Sequence, residues 1–357
     1  CQRVRSELQF ITLTYGGDAL ARLPDGLPVF VPFLLPGERA LVEIGPRRHG
    51  YARGRLVELR EPSAGRCLPR CRHFGLCGGC QLQHLAYPHQ LEAKRAILVE
   101  QLRRLGGLEA EAVVEPTVPS PSPWGYRNNL QLHWGKTARP GFKARRSSDI
   151  VEISECHLPE PPLAALWPRL PGPLLRSLGR EGGRLALRCG TEGPPLVVPQ
   201  GAAGPAPLTL GPDGELHGAP PLHYRVGPHT FGVSPASFFQ VNTAAASSLV
   251  QQVLRDIPAG GTVVEAHCGV GLFSRFLAER AAALLCIELS PEACADFRVN
   301  LAGAGPVRLV EGRAAQVVPG LTTPCDTLVV DPPRTGLESE LVAALPRLQA
   351  RQIVYVS

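Results

Sequence analysis

The spacing of apolar and polar residues divides the chain into parts with different predicted structure. Residues 7–61 contain β-rich apolar runs separated by the turn sequences GGD, PDG, PGE and RRHG. Regular short strands with such turns predict a small five-stranded barrel of the OB type. Residues 88–105 place leucines at helical spacing after a proline and before Gly106-Gly107, which predicts a helix that packs through its leucines.

The last third of the chain alternates apolar strand patterns with helix patterns. Predicted strands lie within TVVEA, ALLCIEL, VRLVEG, TLVVD and RQIVYVS, which favours a doubly wound parallel α/β sheet. The strand before Asp331 must stop there, because Pro332 and Pro333 lack backbone donors and fix φ. Ligands bind at the carboxyl ends of the strands in such sheets. Asp331 is therefore a candidate site residue, although a strand followed by a Pro-rich turn is the simpler interpretation.

We therefore expect a multidomain protein. The predicted parts are an OB-like barrel at residues 1–62, a small α+β central domain at 63–228 and an α/β Rossmann-like domain at 229–357. Residues 190–228 are rich in Gly, Pro and Ala, and predict an irregular hairpin region without a function.

Composition narrows the class of protein. The 357 residues are 44% hydrophobic and 19% charged, an ordinary globular balance. No apolar run reaches the ~18 residues of a membrane span, and the first residues lack the apolar segment of a signal peptide, so we expect a cytoplasmic protein without a membrane anchor. The chain begins at Cys1 and contains no Met, which suggests an excerpt or edited copy of a longer protein.

Positive charge is concentrated near the N-terminus. Residues 1–72 carry 12 Arg against 7 acidic residues, whereas residues 229–357 carry 9 basic against 11 acidic residues. Nearly all basic residues are arginines, whose guanidinium groups suit bidentate phosphate contacts. A coding bias towards arginine is the alternative for any single residue, but the asymmetry favours a nucleic-acid partner.

Eleven cysteines in a chain without an export signal indicate thiols, a metal or a cluster rather than a disulfide framework. The pattern Cys71-x5-Cys77-x2-Cys80 places three soft ligands on a Gly-rich loop, suited to zinc or an iron–sulfur cluster. Cys67 or a distant residue such as Cys156 would supply the fourth ligand. A reduced loop without metal is the third possibility.

A glycine-rich turn follows the strand TVVEA. Gly269 and Gly271 let the backbone approach a ligand, and Glu288, which ends the next strand, can accept hydrogen bonds from ribose hydroxyls. The pair of glycines alone is weak evidence, and the full dinucleotide fingerprint is absent. Gln240 precedes a helix cap at Asn242 or Thr243, where a surface Gln is the simpler interpretation.

Taken together, these motifs resemble the RNA 5-methyluridine (uracil-C5) methyltransferase family. The segment YGGDALARLPDGLPVFVPFLLPGERALVEI resembles a TRAM domain, an RNA-binding barrel, and CRHFGLCGGCQLQH resembles the 4Fe-4S site of that family. FFQVN, CGVGLFS and DPPRTG resemble its class I S-adenosylmethionine (SAM) motifs, so the resemblance covers almost the whole chain.

The resemblance implies specific roles for residues of this sequence. The implied SAM contacts are Gln240, His267, Gly269, Gly271, Glu288 and Asp331. The implied cluster ligands are Cys71, Cys77, Cys80 and Cys156, with zinc as the alternative metal. The RNA-binding candidates are Arg47, Arg53, Arg127, Arg145 and Arg334.

The family reaction methylates C5 of a uridine after a Cys thiolate adds to C6. This resemblance implies a nucleophile immediately after Ser357, at the carboxyl end of the last strand, and a general base beyond it, so no catalytic residue is expected within the chain. Two other departures are His267, where the family usually has Tyr or Phe, and Arg313, where an Asp or Asn commonly contacts the cofactor.

The TRAM-like barrel and the cysteine pattern together resemble the 23S rRNA branch of the family. We also expect a monomer. A tRNA 5-methyluridine methyltransferase and a non-catalytic RNA- and SAM-binding relative are the alternatives. A radical-SAM enzyme with a TRAM domain would need Cys-x3-Cys-x2-Cys, which the observed spacing does not fit.

Overall fold

The computed structural model describes residues 4–109, 111, 113–170, 172–179, 181–200, 207–210, 216–218, 220–321 and 324–357. They form two compact units. The first contains Cys1–Pro123, His133–His157 and Gly172–Gly182, and the second contains Trp124–Leu132, Leu158–Pro171 and Gly183–Ser357. The domain boundaries expected near residues 62 and 228 stay a prediction. Among the described helices, none combines the length and apolar character needed to cross a membrane.

The first unit begins with six strands in the order β1-β5-β6-β4-β3-β2, so the predicted OB-like barrel is confirmed but has six strands rather than the predicted five. All neighbouring strands are antiparallel except β4 and β6. The apolar run LQFITLTY contains two strands, because the N–H groups of Phe10 and Ile11 donate to the carbonyls of Glu38 and Leu20. The strands are β1 (Val4–Gln9), β2 (Thr12–Leu13), β3 (Asp18–Arg22), β4 (Pro28–Pro32), β5 (Arg39–Ile44) and β6 (Ala52–Glu61).

Helix α1 (Tyr87–Gly106) follows the prediction closely. It ends where Gly107 adopts a left-handed φ of 63° and donates its N–H to the Leu102 carbonyl. The predicted packing face is wrong, however: Ala93 and Ile97 contact the barrel core, while Leu105 is 82% exposed.

The central segment combines short strands and short helices, as expected for an α+β region. β8 pairs with β9 in the first unit, whereas β7 begins in the second unit with residues 129–132 and ends in the first with residues 133–134. In the second unit β10 to β13 form an antiparallel series and β14 pairs with β15. The described part of the region after residue 190 is thus more regular than predicted. The elements are β7 (Asn129–Trp134), β8 (Gly141–Lys143), β9 (Ile150–Glu152), α2 (Pro161–Leu166), α3 (Gly172–Leu178), β10 (Gly183–Arg188), β11 (Leu196–Gln200), β12 (Leu208–Leu210), β13 (Leu216–Gly218), β14 (Leu222–Val226) and β15 (His229–Val233).

The rest of the second unit is the predicted doubly wound parallel sheet, in the order β18-β17-β16-β19-β20. Alternate residues of its strands enter two apolar clusters, one on each face, which gives the sheet a core on both sides. The elements are α4 (Thr243–Arg255), β16 (Thr262–Ala266), α5 (Leu272–Leu277), β17 (Ala283–Glu288), α6 (Pro291–Asn300), β18 (Val307–Glu311), α7 (Ala314–Val317), β19 (Thr327–Val330), α8 (Ser339–Ala344) and β20 (Gln352–Tyr355).

Candidate active site

The carboxyl ends of three neighbouring strands bring predicted cofactor residues to one edge of the sheet. β16 lies at the centre, with β17 on one side and β19 on the other. The direction of strand addition reverses between β16 and β19, and such a reversal is where open α/β sheets bind ligands. His267 follows β16, Glu288 ends β17 and Asp331 follows β19.

The glycine turn that follows β16 is shaped by left-handed backbone conformations. His267, Gly269 and Gly271 have φ values of 63°, 55° and 91°. A Cβ on Gly271 would lie 2.4 Å from the Leu301 side chain, so this glycine permits close helix packing. A Cβ on Gly269 would meet no described atom within 4 Å, so this part of the turn faces open space in which a ligand fits.

Glu288 fixes the turn against the end of β17. One carboxylate oxygen accepts the Gly269 N–H at 2.9 Å, and the other accepts the N–H groups of Leu289 and Ser290 at 2.8 Å each. A carboxylate has about four lone-pair positions, so these three bonds leave one for a ligand hydroxyl, on the oxygen that accepts the Gly269 N–H. Glu288 thus lies at the predicted edge of the sheet, and it also holds the glycine turn in place.

A second carboxyl group, that of Glu265, lies within β16 and was not predicted as a site residue. Its side chain is 1% exposed, and Oε2 accepts the Ser274 hydroxyl at 2.6 Å. Burial, together with the charges of Asp331 and Glu288, raises the pKa of Glu265 to about 8. Oε1 has no hydrogen-bond partner among the described residues. The only sequence signal was an acid inside an apolar strand pattern.

Burial also raises the pKa of Asp331. The Asp331 N–H donates to the Ala266 carbonyl at 3.3 Å, which ties the end of β19 to the end of β16. Two carboxyl groups with raised pKa values at one sheet edge indicate a functional site.

His267 is half-buried next to these acids. Burial lowers its pKa, against the opposing effect of the Glu288 and Glu338 charges, so the neutral ring is favoured. Its Nδ1 is buried and has no partner within the described part of the chain. Such an unpaired ring nitrogen can hydrogen-bond a polar group of a cofactor. The rings of Tyr and Phe contain no nitrogen and could not make this bond.

Gln240 lies in the loop before α4, and a buried asparagine holds the backbone of this loop. Asn128 Nδ2 donates to the Gln240 carbonyl at 2.8 Å and to the Thr243 hydroxyl at 2.9 Å. Asn242 caps α4 by accepting the Ala245 N–H, as predicted. Asn128, which is 2% exposed, thus supports the Gln240 loop.

Arg313 precedes α7 as its N-cap residue. Its Nη1 lies 3.9 Å from Glu338 Oε1, and its side chain is 56% exposed. These contacts do not explain why Arg stands at a position where the family commonly has Asp or Asn.

The end of β20 lies beside Asp331. Tyr355 is in register with Val330, and the Val356 N–H donates to the Val330 carbonyl at 2.8 Å. The carboxyl end of β20 therefore lies at the ligand edge of the sheet.

The cysteines of the sheet are poorly suited to act as nucleophiles at this edge. Cys286 is buried within β17, Cys294 lies in α6, and Cys325 precedes β19 at the opposite edge. Burial raises the pKa of Cys268, Cys294 and Cys325, which disfavours the reactive thiolate.

The predicted cluster cysteines all belong to the first unit. Burial, together with the charges of Cys80 and Cys71, raises the pKa of Cys77. The loop is tied to the strand pair β8–β9, since the Gly78 N–H donates to the Lys143 carbonyl.

The segment that contains Cys156 contacts the same loop. The Arg72 N–H donates to Glu155 at 2.9 Å, and the Ser154 N–H donates to His73 Nε2 at 3.0 Å. The described residues nevertheless contain no group of three or more His, Cys, Asp or Glu side chains arranged to hold a metal ion. The soft thiol donor set suits iron–sulfur chemistry, but the cluster stays a prediction.

The predicted RNA-binding arginines differ in their availability. Arg47 is 64% exposed and pairs with Asp25, and Arg53 is 46% exposed. Arg145 is only 15% exposed, pairs with Asp18 at 2.5 Å and lies over the Phe33 ring, so its guanidinium has mainly a structural role. In the second unit, Arg127 is partly buried and Arg334 is exposed.

Comparisons with known proteins agree with this architecture. Residues 7–57 match the TRAM domain family. An uncharacterized RNA methyltransferase of Caulobacter vibrioides is 32% identical over 91% of this chain and 83% of its own length. One from Halalkalibacterium halodurans is 30% identical over 98% of this chain and 87% of its own length.

A solved structure is similar over nearly the whole chain. The tRNA (uracil-54, C5)-methyltransferase of Pyrococcus abyssi, in complex with S-adenosyl-L-homocysteine, matches with a TM-score of 0.70 and 26% identity, over 98% of this chain and 89% of its own. The homologous sequences, the TRAM domain and this structural match together show that the chain belongs to the RNA 5-methyluridine methyltransferase family.

Proposed function

We propose that the protein methylates C5 of a specific uridine in 23S rRNA, using SAM and a covalent cysteine adduct at C6. The observation that carries this proposal is the arrangement of Glu288, Asp331 and the glycine turn at one edge of the parallel sheet. Bound SAM supplies an electrophilic methyl group.

The residues of this edge would hold the cofactor. Glu288 would accept a ribose hydroxyl, and Gly269 would allow close approach of the cofactor to the backbone. Gln240 and the unpaired His267 Nδ1 would contact its polar groups. Asp331 would hold the uracil edge or the region near the sulfonium.

The chemistry at uracil needs a nucleophile, because C5 reacts poorly until a group adds to C6. We propose that a cysteine at the position after Ser357 provides it, since β20 leads there beside Asp331. The thiolate adds to C6, the enolate carbon C5 takes the methyl group, a base removes the C5 proton, and the thiolate then leaves. The uridine must leave its stack to reach this edge.

We propose a 4Fe-4S cluster on Cys71, Cys77, Cys80 and Cys156, with a structural role in the first unit. Its support is the soft donor set and the contacts of residues 154 and 155 with residues 72 and 73. No step of the methyl transfer uses it.

A tRNA substrate is the second candidate. It is favoured by the similarity to the Pyrococcus abyssi enzyme, whose substrate is tRNA uracil-54. The TRAM domain and the four-cysteine pattern resemble those of the rRNA-modifying branch of the family, which favours an rRNA substrate.

One experiment separates these possibilities. The protein with its natural C-terminus is incubated with methyl-labelled SAM and either 23S rRNA or tRNA that lacks 5-methyluridine, and the label is located by mass spectrometry. We expect label in 23S rRNA, and a covalent complex with RNA containing 5-fluorouridine. Label in tRNA alone would support the second candidate, and SAM binding without any transfer would indicate a non-catalytic relative. Methylation by the 357-residue chain alone would contradict the assigned nucleophile.

A further inference from the structure

Two neighbouring cavities of the first unit share an exposed tyrosine. One cavity, of about 370 Å³, lies between the barrel and α1 and includes Tyr51, Arg53 and Arg104. The other, of about 550 Å³, includes Gln81, Lys94 and Leu98. Tyr15 lines both, and its side chain is 82% exposed. The two cavities and Tyr15 are called the Tyr15 groove below.

We infer that the Tyr15 groove binds a single-stranded segment of the substrate RNA, with one base stacked on Tyr15 and a nucleotide in each cavity. Volumes of several hundred cubic ångströms accommodate small ligands of about nucleotide size. Exposed aromatic rings beside a positive groove are how proteins hold single strands without reading their sequence. The identity of the polymer as RNA rests on the proposed function.

The aromatic wall of the first cavity is held in place by its neighbours. Tyr51 makes an edge-to-face contact with Phe30, with ring centroids 5.7 Å apart. The Arg53 guanidinium lies 5.8 Å from the Tyr51 ring centroid. A ring fixed in this way loses little side-chain freedom when a base or a ribose packs against it.

The acidic residues of the groove are already neutralised. Asp18 is paired with Arg145, Arg146 and Arg53 at 2.5, 2.6 and 3.5 Å. Glu100 is paired with Arg103 at 2.8 Å and lies 3.9 Å from Arg104. The groove therefore presents excess positive charge, which suits a phosphate backbone. A neutral or basic peptide would gain nothing from this charge.

One of these arginines has an unusual backbone. Arg146 has a φ of 54°, in the left-handed region that non-glycine residues rarely adopt. Its guanidinium nevertheless lines the first cavity, is 50% exposed and contacts Asp18. A strained residue whose charged group is directed to a cavity is typical of a binding site.

Fluorescence anisotropy of the full chain with a labelled oligouridylate of about twelve nucleotides tests the inference. Tyr15→Ala should weaken binding on the order of 5- to 100-fold, and Tyr15→Phe, which keeps the ring, should bind as the unaltered protein does. Arg104→Ala should weaken binding and reduce the slope of log affinity against log salt by about 0.7.

Arg60→Ala is the matched control, because Arg60 is an exposed barrel arginine that pairs with a nearby glutamate, Glu58, but lies outside the groove. It should leave affinity and salt slope unchanged. Thermal unfolding followed by circular dichroism verifies that the first unit of each variant is folded, and calorimetric binding of S-adenosylhomocysteine verifies the second. A 4-thiouridine probe should crosslink to the peptide that contains Tyr15.

The outcomes distinguish the groove from the proposed function. Unchanged affinity in both Tyr15→Ala and Arg104→Ala, with crosslinks elsewhere, would overturn the groove and leave the methyltransferase proposal intact; the groove would then fit a protein segment instead. An unaltered protein that binds S-adenosylhomocysteine but no RNA would overturn both.

Discussion

Glu288→Gln should separate cofactor binding from the structural task of this carboxylate. The change keeps the size of the side chain, removes its charge and replaces one acceptor oxygen by an amide donor. Loss of a charged acceptor for a ribose hydroxyl should weaken S-adenosylhomocysteine binding by about 1 to 3 kcal/mol. At about 1.4 kcal/mol for each tenfold change, this corresponds to roughly 5- to 150-fold in Kd.

The same substitution should also lower stability. If the amide nitrogen takes the place of the oxygen that accepts the Gly269 N–H, that N–H loses its partner, at a cost of about 1 to 3 kcal/mol in the free energy of unfolding. Calorimetry measures the Kd, and urea denaturation measures the stability. Two readouts are needed because a loosened turn and a lost ligand contact are different defects.

Glu292→Gln provides the control. Glu292 lies in the first turn of α6, accepts the Ser290 hydroxyl at 3.0 Å and is exposed. It should change neither quantity by more than a few tenths of a kcal/mol. If Glu288→Gln lowered stability and left the Kd unchanged, Glu288 would only organise the turn, and the ribose assignment would be refuted.

Three further predictions concern the cluster, the buried acid and the loop support. Protein purified without oxygen should be brown with about four irons per chain. The substitution Cys77→Ser should remove the iron, and Cys67→Ser should not. A colourless protein with one zinc would contradict the cluster. Because the pKa of Glu265 is about 8 when folded and near 4.5 otherwise, the folded state binds this proton more tightly, so stability should fall as pH rises from about 4.5 to 8. Urea denaturation across that range should show the fall reduced in Glu265→Gln, and parallel profiles would refute the assignment. Asn128→Ala, which removes the donor to the Gln240 carbonyl, should lower stability by about 1 to 3 kcal/mol and weaken S-adenosylhomocysteine binding; an unchanged calorimetric Kd would show that the loop does not need this support.

The features that the sequence predicted well are those that depend on local chemistry. Pro332 and Pro333 end β19 at Asp331 because neither can donate a ladder hydrogen bond. Gly107 ends α1 because it adopts a left-handed conformation without a Cβ penalty. Asn242 caps α4 through its own side chain. In each case the residue and its structural effect lie within a few positions of each other.

The features that were missed depend on partners far away in the sequence. Glu265 is a candidate because Ser274, Asp331 and Glu288 surround it, and no local pattern reveals this set. Asn128 contacts the Gln240 loop, which is more than a hundred residues later. Leu105 matched an amphipathic pattern, but it lies on the side of α1 that the barrel does not cover.

The two ligands of the proposed reaction, SAM and RNA, carry opposite charges, and different parts of the chain suit each of them. The sulfonium of SAM is cationic, and the site edge offers Glu288 and Asp331 within a C-terminal part that has more acidic than basic residues. RNA is a polyanion, and such an edge alone would repel it. The Tyr15 groove, in the arginine-rich N-terminal part, has its acids neutralised and guanidinium groups to spare. We therefore expect the acidic sheet edge to favour the cationic cofactor, and the Tyr15 groove to hold phosphates of the RNA.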